Sequence, residues 1–254
     1  MKQRVISGVF IALITVIAAY FGGIILDLTL AFIGIWGSYE FTKVRKENFS
    51  VILFALMVLT IAGIILFNEK AIAIVLIEML LLLTVAIFDE RESFDDATAT
   101  FLMSVLLGYA LYFMREIQHI DKFMFGYVLI ISYLTDIFAF QVGVKFGKHK
   151  LNPRVSPKKT IEGSLGGWFF GCAVSLLWAF LFHFFGLPPI LFVVASLFLP
   201  IVSEIGDLAF SLIKRHYGVK DFSNLIPGHG GILDRMDSHI FCVVLFGVLM
   251  QLFL

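Results

Sequence analysis

Residues 189–213 read PILFVVASLFLPIVSEIGDLAFSLI, and this stretch decides the class of fold. About 20 mostly apolar residues are enough to cross the hydrocarbon core of a bilayer as a helix. The run is too long for a buried strand, and it contains no basic residue. We therefore interpret it as a membrane-spanning helix that carries two carboxylates, Glu204 and Asp207.

The rest of the chain has the same character. Hydrophobic residues make up 60% of the 254 residues and charged residues only 15%, and the mean hydropathy is +0.98. This composition predicts an all-α polytopic membrane protein and leaves little sequence for a separate soluble catalytic domain. The formal net charge of zero gives no general attraction to nucleic acid. About nine transmembrane helices are predicted, near residues 5–21, 23–41, 51–67, 71–88, 100–114, 124–144, 163–186, 189–213 and 239–254.

The distribution of basic residues predicts the orientation. If these segments alternate across the bilayer, 16 of the 19 lysines and arginines fall on the side of the N-terminus. The other side holds Lys70, Arg115 and Lys122. Basic residues are enriched in cytoplasmic loops, so we expect a cytoplasmic N-terminus. The location that we expect for this multi-pass protein is a bacterial inner membrane, which the charge count does not itself indicate.

The chain is uneven in its chemistry. Residues 1–123 are interpreted as N-terminal transmembrane helices joined by ordinary polar loops. Residues 124–254 are interpreted as the catalytic transmembrane region. Its two large loops, 145–162 and 214–238, both fall on the predicted cytoplasmic side.

Several carboxylates lie within apolar segments, where an unpaired charge costs about 2.5–3.5 kcal/mol on insertion scales. Glu204 and Asp207 are three residues apart and share one helix face, and Asp136 is expected at a similar depth. This pattern predicts a polar cavity, open to the cytoplasm, between the sixth and eighth helices. Ion pairing between helices is the alternative, and for Glu78, alone on its segment, it is the favoured interpretation.

The loop after the eighth helix concentrates the remaining chemistry. Residues 211–238 read SLIKRHYGVKDFSNLIPGHGGILDRMDS. Asp234 and Asp237 add carboxylate oxygens, which are ligands that Mg²⁺ prefers. Basic residues surround them, and a glycine turn at 228–231 lets backbone amides approach an anion. Together these features are typical of a site for a metal-bound polyphosphate.

The same run resembles the signature of the phosphatidate cytidylyltransferases, also called CDP-diacylglycerol synthases. The stretch Ser156 to Gly163 and the position of Asp136 resemble other parts of that family's pattern, whereas residues 1–123 are similar only in hydropathy. The chain meets the signature without departure at Ser211, Ile213, Lys214, Arg215, Lys220, Asp221, Ser223, Ile226, Pro227, His229, Gly230, Gly231, Ile232, Asp234, Arg235 and Asp237.

The resemblance implies an enzyme that transfers the CMP part of CTP to phosphatidate, giving CDP-diacylglycerol and pyrophosphate. It implies one or two Mg²⁺ ions held by Asp207, Asp234 and Asp237, with Glu204 in support. Lys214 and Arg215 are expected to act with these carboxylates in catalysis. The other residues expected to bind the substrates are Asp136, Ser156, Lys158, Lys159, Thr160, Ser211, Lys220, His229, Gly230, Gly231 and Arg235.

Three local interpretations remain open. Lys158 and Lys159 either contact a substrate or contact anionic lipid at the membrane surface. Thr160 is expected to cap the seventh helix. Small residues recur every four positions from Gly163 to Ser175, which predicts close helix packing within the chain or, alternatively, the interface of a homodimer.

Two other functions fit part of the pattern. A cation-coupled transporter would also need carboxylates within the membrane, but it has no need of the basic, glycine-containing loop. A transporter is further expected to show inverted repeats, and the acidic stripe has no second copy in the sequence. A CTP-dependent lipid kinase would share the nucleotide chemistry but would transfer only the γ-phosphate.

Overall fold

The structure is a computed structural model that describes residues 2–45, 49–182, 187–228 and 230–253. Within these ranges the chain forms nine α-helices, one turn of 3-10 helix at Asn68–Lys70 and one β-hairpin. Every predicted apolar segment corresponds to one helix. The helices are α1 (Lys2–Phe21), α2 (Gly23–Arg45), α3 (Val51–Leu66), α4 (Ala71–Phe88), α5 (Phe94–Ile120), α6 (Lys122–Phe146), α7 (Ile161–Phe182), α8 (Pro189–His216) and α9 (Leu233–Phe253).

Seven of these helices, α2 and α4 to α9, are long and apolar enough to cross a membrane among the residues that the structure describes. The chain is therefore an all-α multi-pass membrane protein in its main architecture. The apolar part of α1, Gly8–Phe21, and the whole of α3, Val51–Leu66, are shorter. Whether these two helices also cross the membrane, which would give the predicted total of nine spans, stays a prediction.

Helix α5 is longer than the predicted segment 100–114, because a polar cap extends its N-terminus. Ser93 Oγ accepts from the backbone N–H of Asp96 at 3.2 Å, and Asp96 Oδ2 accepts from the Ser93 N–H at 2.9 Å. Such reciprocal bonds satisfy two of the amides that a helix start leaves unpaired. The helix can therefore begin at Phe94, in a polar stretch that hydropathy alone assigns to a loop.

The predicted loop 145–162 contains a hairpin that the sequence analysis did not predict. Strand β1 (Lys150–Asn152) pairs antiparallel with β2 (Ser156–Thr160). The turn between them begins with Asn-Pro, a common turn signal, and the Asn152 side chain accepts from the Val155 N–H at 3.3 Å. Four predicted site residues, from Ser156 to Thr160, therefore lie on a strand.

The chain divides into two compact units. The first comprises Met1–Arg115 and Asp221–Asp234, and the second comprises Glu116–Lys220 and Arg235–Leu254. The boundary at residue 123 between the N-terminal helices and the catalytic region stays a prediction. The segment 221–234, however, packs with the N-terminal helices rather than with the helices that precede it in the chain.

The first unit contains a cavity of about 270 Å³ between α2, α3 and α5. Its walls are mostly leucine, isoleucine, alanine and glycine, and Arg115 Nε pairs with Asp27 Oδ1 at 2.8 Å on its edge. No predicted site residue lines it. The polar cavity predicted between the sixth and eighth helices stays a prediction.

Glu78 has a different environment from the one predicted. Its side chain is buried in the first unit, where the hydroxyls of Thr60 and Ser104 are its polar neighbours. Among the described residues no ion pair to this carboxylate is found. The expected ion pair between helices is therefore not what the described part of the chain contains.

The small-residue face of α7 packs inside the second unit. A Cβ added at Gly163 would lie 2.6 Å from the carbonyl oxygen of Ala139, and one at Gly167 would lie 2.8 Å from that of Thr135. A Cβ at Gly171 would meet Thr135 on α6 and Pro200 on α8. The face is thus covered by α6 and α8, which confirms packing within the chain and removes the reason to place a homodimer interface there.

Candidate functional site

Asp207 and Lys159 form the clearest charged contact of the second unit. Lys159 Nζ on β2 lies 2.5 Å from Asp207 Oδ2 on α8, and both side chains are largely covered. Lys159 therefore reaches into the protein, and contact with a lipid surface is not its role in this structure. Lys158, the next residue back on the strand, points outward and is exposed.

Three further carboxylates surround this pair within the same unit. Asp136 on α6 and Glu204 on α8 both lie in electrostatic range of Asp207 and of Lys159. Asp237 on α9 is in range of Asp207, Asp136 and Lys214. The unit thus gathers four carboxyl groups near Lys159 or Lys214. Such an acidic cluster is stabilised by an additional cation or by protonation of one of its members.

The end of α8 supplies the basic residues. Lys214 is buried, with 8% of its surface exposed, whereas Arg215 is exposed and donates from Nη1 to the carbonyl oxygen of Val219 at 3.1 Å. Gly218 adopts φ +69°, the left-handed conformation that commonly ends a helix. Cationic groups in a last turn also oppose the negative end of the helix dipole. Ser211 is partly covered, whereas Lys220 and Arg235 are exposed.

The hairpin is fixed to the start of α7. Thr160 Oγ1 accepts from the Gly163 N–H at 3.2 Å, so the predicted cap is confirmed. Glu162 lies 2.6 Å from Nδ1 of His149 and also accepts from the Lys148 N–H at 3.0 Å. These contacts hold β2, and with it Lys159, against the N-terminus of α7.

The loop 221–234 is organised in the first unit by two buried carboxylates. Asp234 Oδ2 accepts from the backbone N–H groups of Phe222 and Gly231, both at 2.8 Å. Gly230 adopts φ +83° and pairs with Ile226, whose N–H donates to its carbonyl oxygen at 2.9 Å. Asp234, in the first turn of α9, thus joins the beginning of the loop at Phe222 to the glycine turn at Gly231.

The second carboxylate is Glu40 of α2, which the sequence analysis missed. It is fully buried and accepts from the Ser223 hydroxyl at 2.6 Å and from the N–H groups of Ile232 and Leu233, both at 2.9 Å. A signal was available, because Glu40 lies in the apolar segment 23–41, where a carboxylate needs a partner. The family resemblance does not point to Glu40, because residues 1–123 are similar to the family only in hydropathy.

Consecutive amides of the glycine turn therefore already donate to protein carboxylates. Gly231 donates to Asp234, and Ile232 and Leu233 donate to Glu40. The expected binding of phosphate at His229, Gly230 and Gly231 stays a prediction, and His229 lies outside the described residues. Asp234 and Asp237, predicted in a loop, lie on α9, Asp234 in its first turn and Asp237 just after it.

The predicted magnesium ligands are of a type that binds divalent cations, but their side chains are not arranged as a complete binding site. Carboxylate oxygens are suitable ligands, and a cation would stabilise the acidic cluster around Asp207. Within the part of the chain that the structure describes, however, no three carboxyl, imidazole or thiol groups are close enough to hold one ion. In this arrangement the ammonium group of Lys159 is the cation next to Asp207.

Comparison with known proteins agrees with the resemblance seen in the signature. The Cytidylyltransferase family matches residues 2–253. A phosphatidate cytidylyltransferase of Bacillus subtilis (strain 168) is 31% identical over 269 residues, which cover 100% of this chain and 98% of that protein. One of Staphylococcus saprophyticus is 30% identical over 258 residues, covering 98% and 99% of the two chains.

A third relative has a higher identity over a shorter part of the chain. The phosphatidate cytidylyltransferase of Staphylococcus haemolyticus is 36% identical over 186 residues, covering 72% of this chain and 70% of that protein. The family match spans almost the whole chain, and the two relatives named first match it nearly from end to end. The chain therefore belongs to the cytidylyltransferase family.

Proposed function

We propose that the protein transfers the CMP group of CTP to phosphatidate, giving CDP-diacylglycerol and pyrophosphate. The observation that carries this proposal is sequence similarity to phosphatidate cytidylyltransferases over the full length of the chain. The signature that resembles this family is also complete from Ser211 to Asp237. We also propose that the site faces the cytoplasm, where CTP is available, in a bacterial inner membrane. If the nine predicted segments alternate across the bilayer, both large polar stretches belong to the side that is rich in basic residues.

The proposed reaction joins two anions. An oxygen of the phosphatidate phosphate forms a bond to the α-phosphorus of CTP, and the bond from that phosphorus to the bridging oxygen breaks. Pyrophosphate leaves with the electron pair of the broken bond. Because the attacking phosphate is already ionised, the reaction needs no strong general base, and catalysis rests on positioning and on neutralising charge.

The residues of the chain divide these tasks. Lys214, Arg215 and Arg235 bind phosphates of CTP or of the lipid, together with Ser211 near the end of α8 and Lys220 in the loop that follows it. Ser156, Lys158 and Thr160 contact a substrate from the hairpin, which the bonds of Thr160 and Glu162 hold in place. Lys159 orients Asp207 through their ion pair. Asp136 contributes to the acidic surroundings of that pair.

Magnesium is part of the proposal. Asp207, Asp234 and Asp237 would hold one or two Mg²⁺ ions, with Glu204 in support, and the metal would neutralise charge on the triphosphate. Lys159 pairs with Oδ2 of Asp207, so a divalent ion held by Asp207 would share this carboxylate with the Lys159 ammonium group.

A product assay tests the proposal against its rivals. Membranes that contain the protein are incubated with phosphatidate, Mg²⁺ and CTP labelled either in the cytidine or in the γ-phosphate. The proposal predicts cytidine label in the lipid fraction and γ-label in pyrophosphate. Lipid that carries only the γ-label would identify a CTP-dependent lipid kinase. Lipid without either label would favour a cation-coupled transporter or another function.

A further inference from the structure

Glu40 connects the N-terminal half of the chain to the signature loop. Its carboxylate lies at the start of α9, where it accepts from the amides of Ile232 and Leu233. A negative charge at this point is favoured by the helix dipole and satisfies amides that a helix start leaves unpaired. The side chain has no measurable exposure, so water does not replace these bonds.

The contact also explains one residue of the signature. A Cβ at Gly231 would lie 2.5 Å from each carboxylate oxygen of Glu40, so any side chain there would push the carboxylate away from the amides that it binds. The Ser223 hydroxyl donates to Oε1 at 2.6 Å and ties the beginning of the loop to the same group. The Glu40 carboxylate therefore contacts three parts of this segment, namely Ser223, Gly231 and the start of α9.

Asp234 depends on this arrangement. Its backbone follows Leu233 directly, and its Oδ2 accepts from Gly231, whose neighbour Ile232 is bound to Glu40. When the Glu40 carboxylate is absent, the turn loses three of its hydrogen bonds and Asp234 loses its fixed position.

We propose that Glu40 is a positioning residue for CMP transfer, which holds the loop 221–234 closed so that Asp234 stays oriented for the reaction. The proposal rests on the proposed function only for its kinetic part. Glu40 touches no substrate in this account and acts through the loop.

The direct test is Glu40→Gln, which keeps the size of the side chain but turns an amide NH₂ toward backbone donors. Because the amide NH₂ cannot accept the bond that one carboxylate oxygen accepts, the loop should lose its fixed position and kcat should fall at least about tenfold. The KM values for CTP and phosphatidate should stay within about twofold. Glu69→Gln, on an exposed acid of the same unit, is the matched control and should match wild type.

Hydrogen exchange by mass spectrometry separates positioning from general support of the fold, and it needs no activity. Glu40→Gln should speed exchange in peptides from 221–234 and leave peptides from α7 unchanged. Faster exchange throughout the chain, or a loss of kcat with an unchanged loop, would overturn the proposal. If the wild type transfers no CMP, the proposed function fails while this measurement still decides the role of Glu40.

A double substitution keeps the proposal testable if Glu40→Gln folds poorly. Gly231→Ala should lower kcat strongly because its Cβ collides with Glu40. Glu40→Asp withdraws the carboxylate by one methylene, so the further penalty of Gly231→Ala should be at least about fivefold smaller in that background. Penalties that simply multiply would show that the two residues act independently and would contradict the proposal.

Discussion

At the scale of single residues, the covered carboxylates of this protein differ in the groups that bind them. Glu40 and Asp234 are bound by backbone amides, whereas Asp207 is bound by the ammonium group of Lys159. The sequence predicted Asp207 and Asp234 because each lies in a recognisable pattern. It could not predict which donor meets which carboxylate, because those partners come from distant parts of the chain.

Asp207→Asn should lower CMP transfer by about 100-fold or more, because it removes a charge that the proposed mechanism uses at the reacting phosphates. The amount of protein in the membrane should stay normal. Asp95→Asn, on an exposed acid in the first turn of α5, serves as the control and should keep wild-type activity. Comparable activity in both variants would remove Asp207 from the site.

The neighbouring lysines should behave differently. Lys159→Ala leaves Asp207 without its ion-pair partner and should destabilise the protein by about 1–3 kcal/mol, measured as a lower Tm in detergent. Lys158→Ala, on the exposed side of the strand, should leave Tm unchanged and raise the apparent KM for one substrate. An unchanged KM with normal turnover would instead favour contact between Lys158 and anionic lipid at the membrane surface.

At the scale of elements, hydropathy predicted each of the nine helices in the described part of the chain but not all of their limits. Helices α5 and α9 begin in polar sequence, where Ser93 with Asp96 and Glu40 satisfy the first amides. Hydropathy cannot detect such ends, since capping uses polar residues. The hairpin at 150–160 was missed for a similar reason, because short polar strands carry no apolar alternation.

Close packing of α7 gives a prediction at this scale. Gly167→Ala would place a Cβ 2.8 Å from the Thr135 carbonyl oxygen and 3.0 Å from Glu204 Oε1. Since helix backbones cannot yield cheaply, it should lower the free energy of unfolding by about 1–3 kcal/mol. Gly126→Ala on α6 is the control, because its Cβ would meet only Trp178 at 3.4 Å. Equal Tm values for the two variants would contradict the packing.

At the scale of the whole molecule, the account depends on orientation in the membrane. The segment 221–234 packs with the N-terminal helices, although its signature continues into α9. The sequence showed the signature as one continuous run and therefore gave no sign of this division. Charge bias remains the basis of the proposed topology, with Lys70 on one side and the hairpin on the other.

Single cysteines test that topology. The native Cys172 and Cys242 are buried, so cysteines introduced at the exposed positions of Lys70 and Lys150 should react selectively. In intact cells a membrane-impermeant maleimide should label Lys70→Cys only. Lys150→Cys should be labelled after the membrane is permeabilised. The reverse pattern would place the hairpin outside the cytoplasm and contradict the orientation.

The central claim is that this chain itself moves a cytidylyl group onto a lipid phosphate. The most direct measurement uses purified protein in micelles of detergent and phosphatidate, with Mg²⁺ and CTP labelled in the α-phosphate, and follows label entering the lipid. The account predicts steady incorporation, matched mole for mole by pyrophosphate, that Asp207→Asn abolishes. Purified protein that is folded yet incorporates no label, or an Asp207→Asn variant that incorporates it at the wild-type rate, would contradict the account.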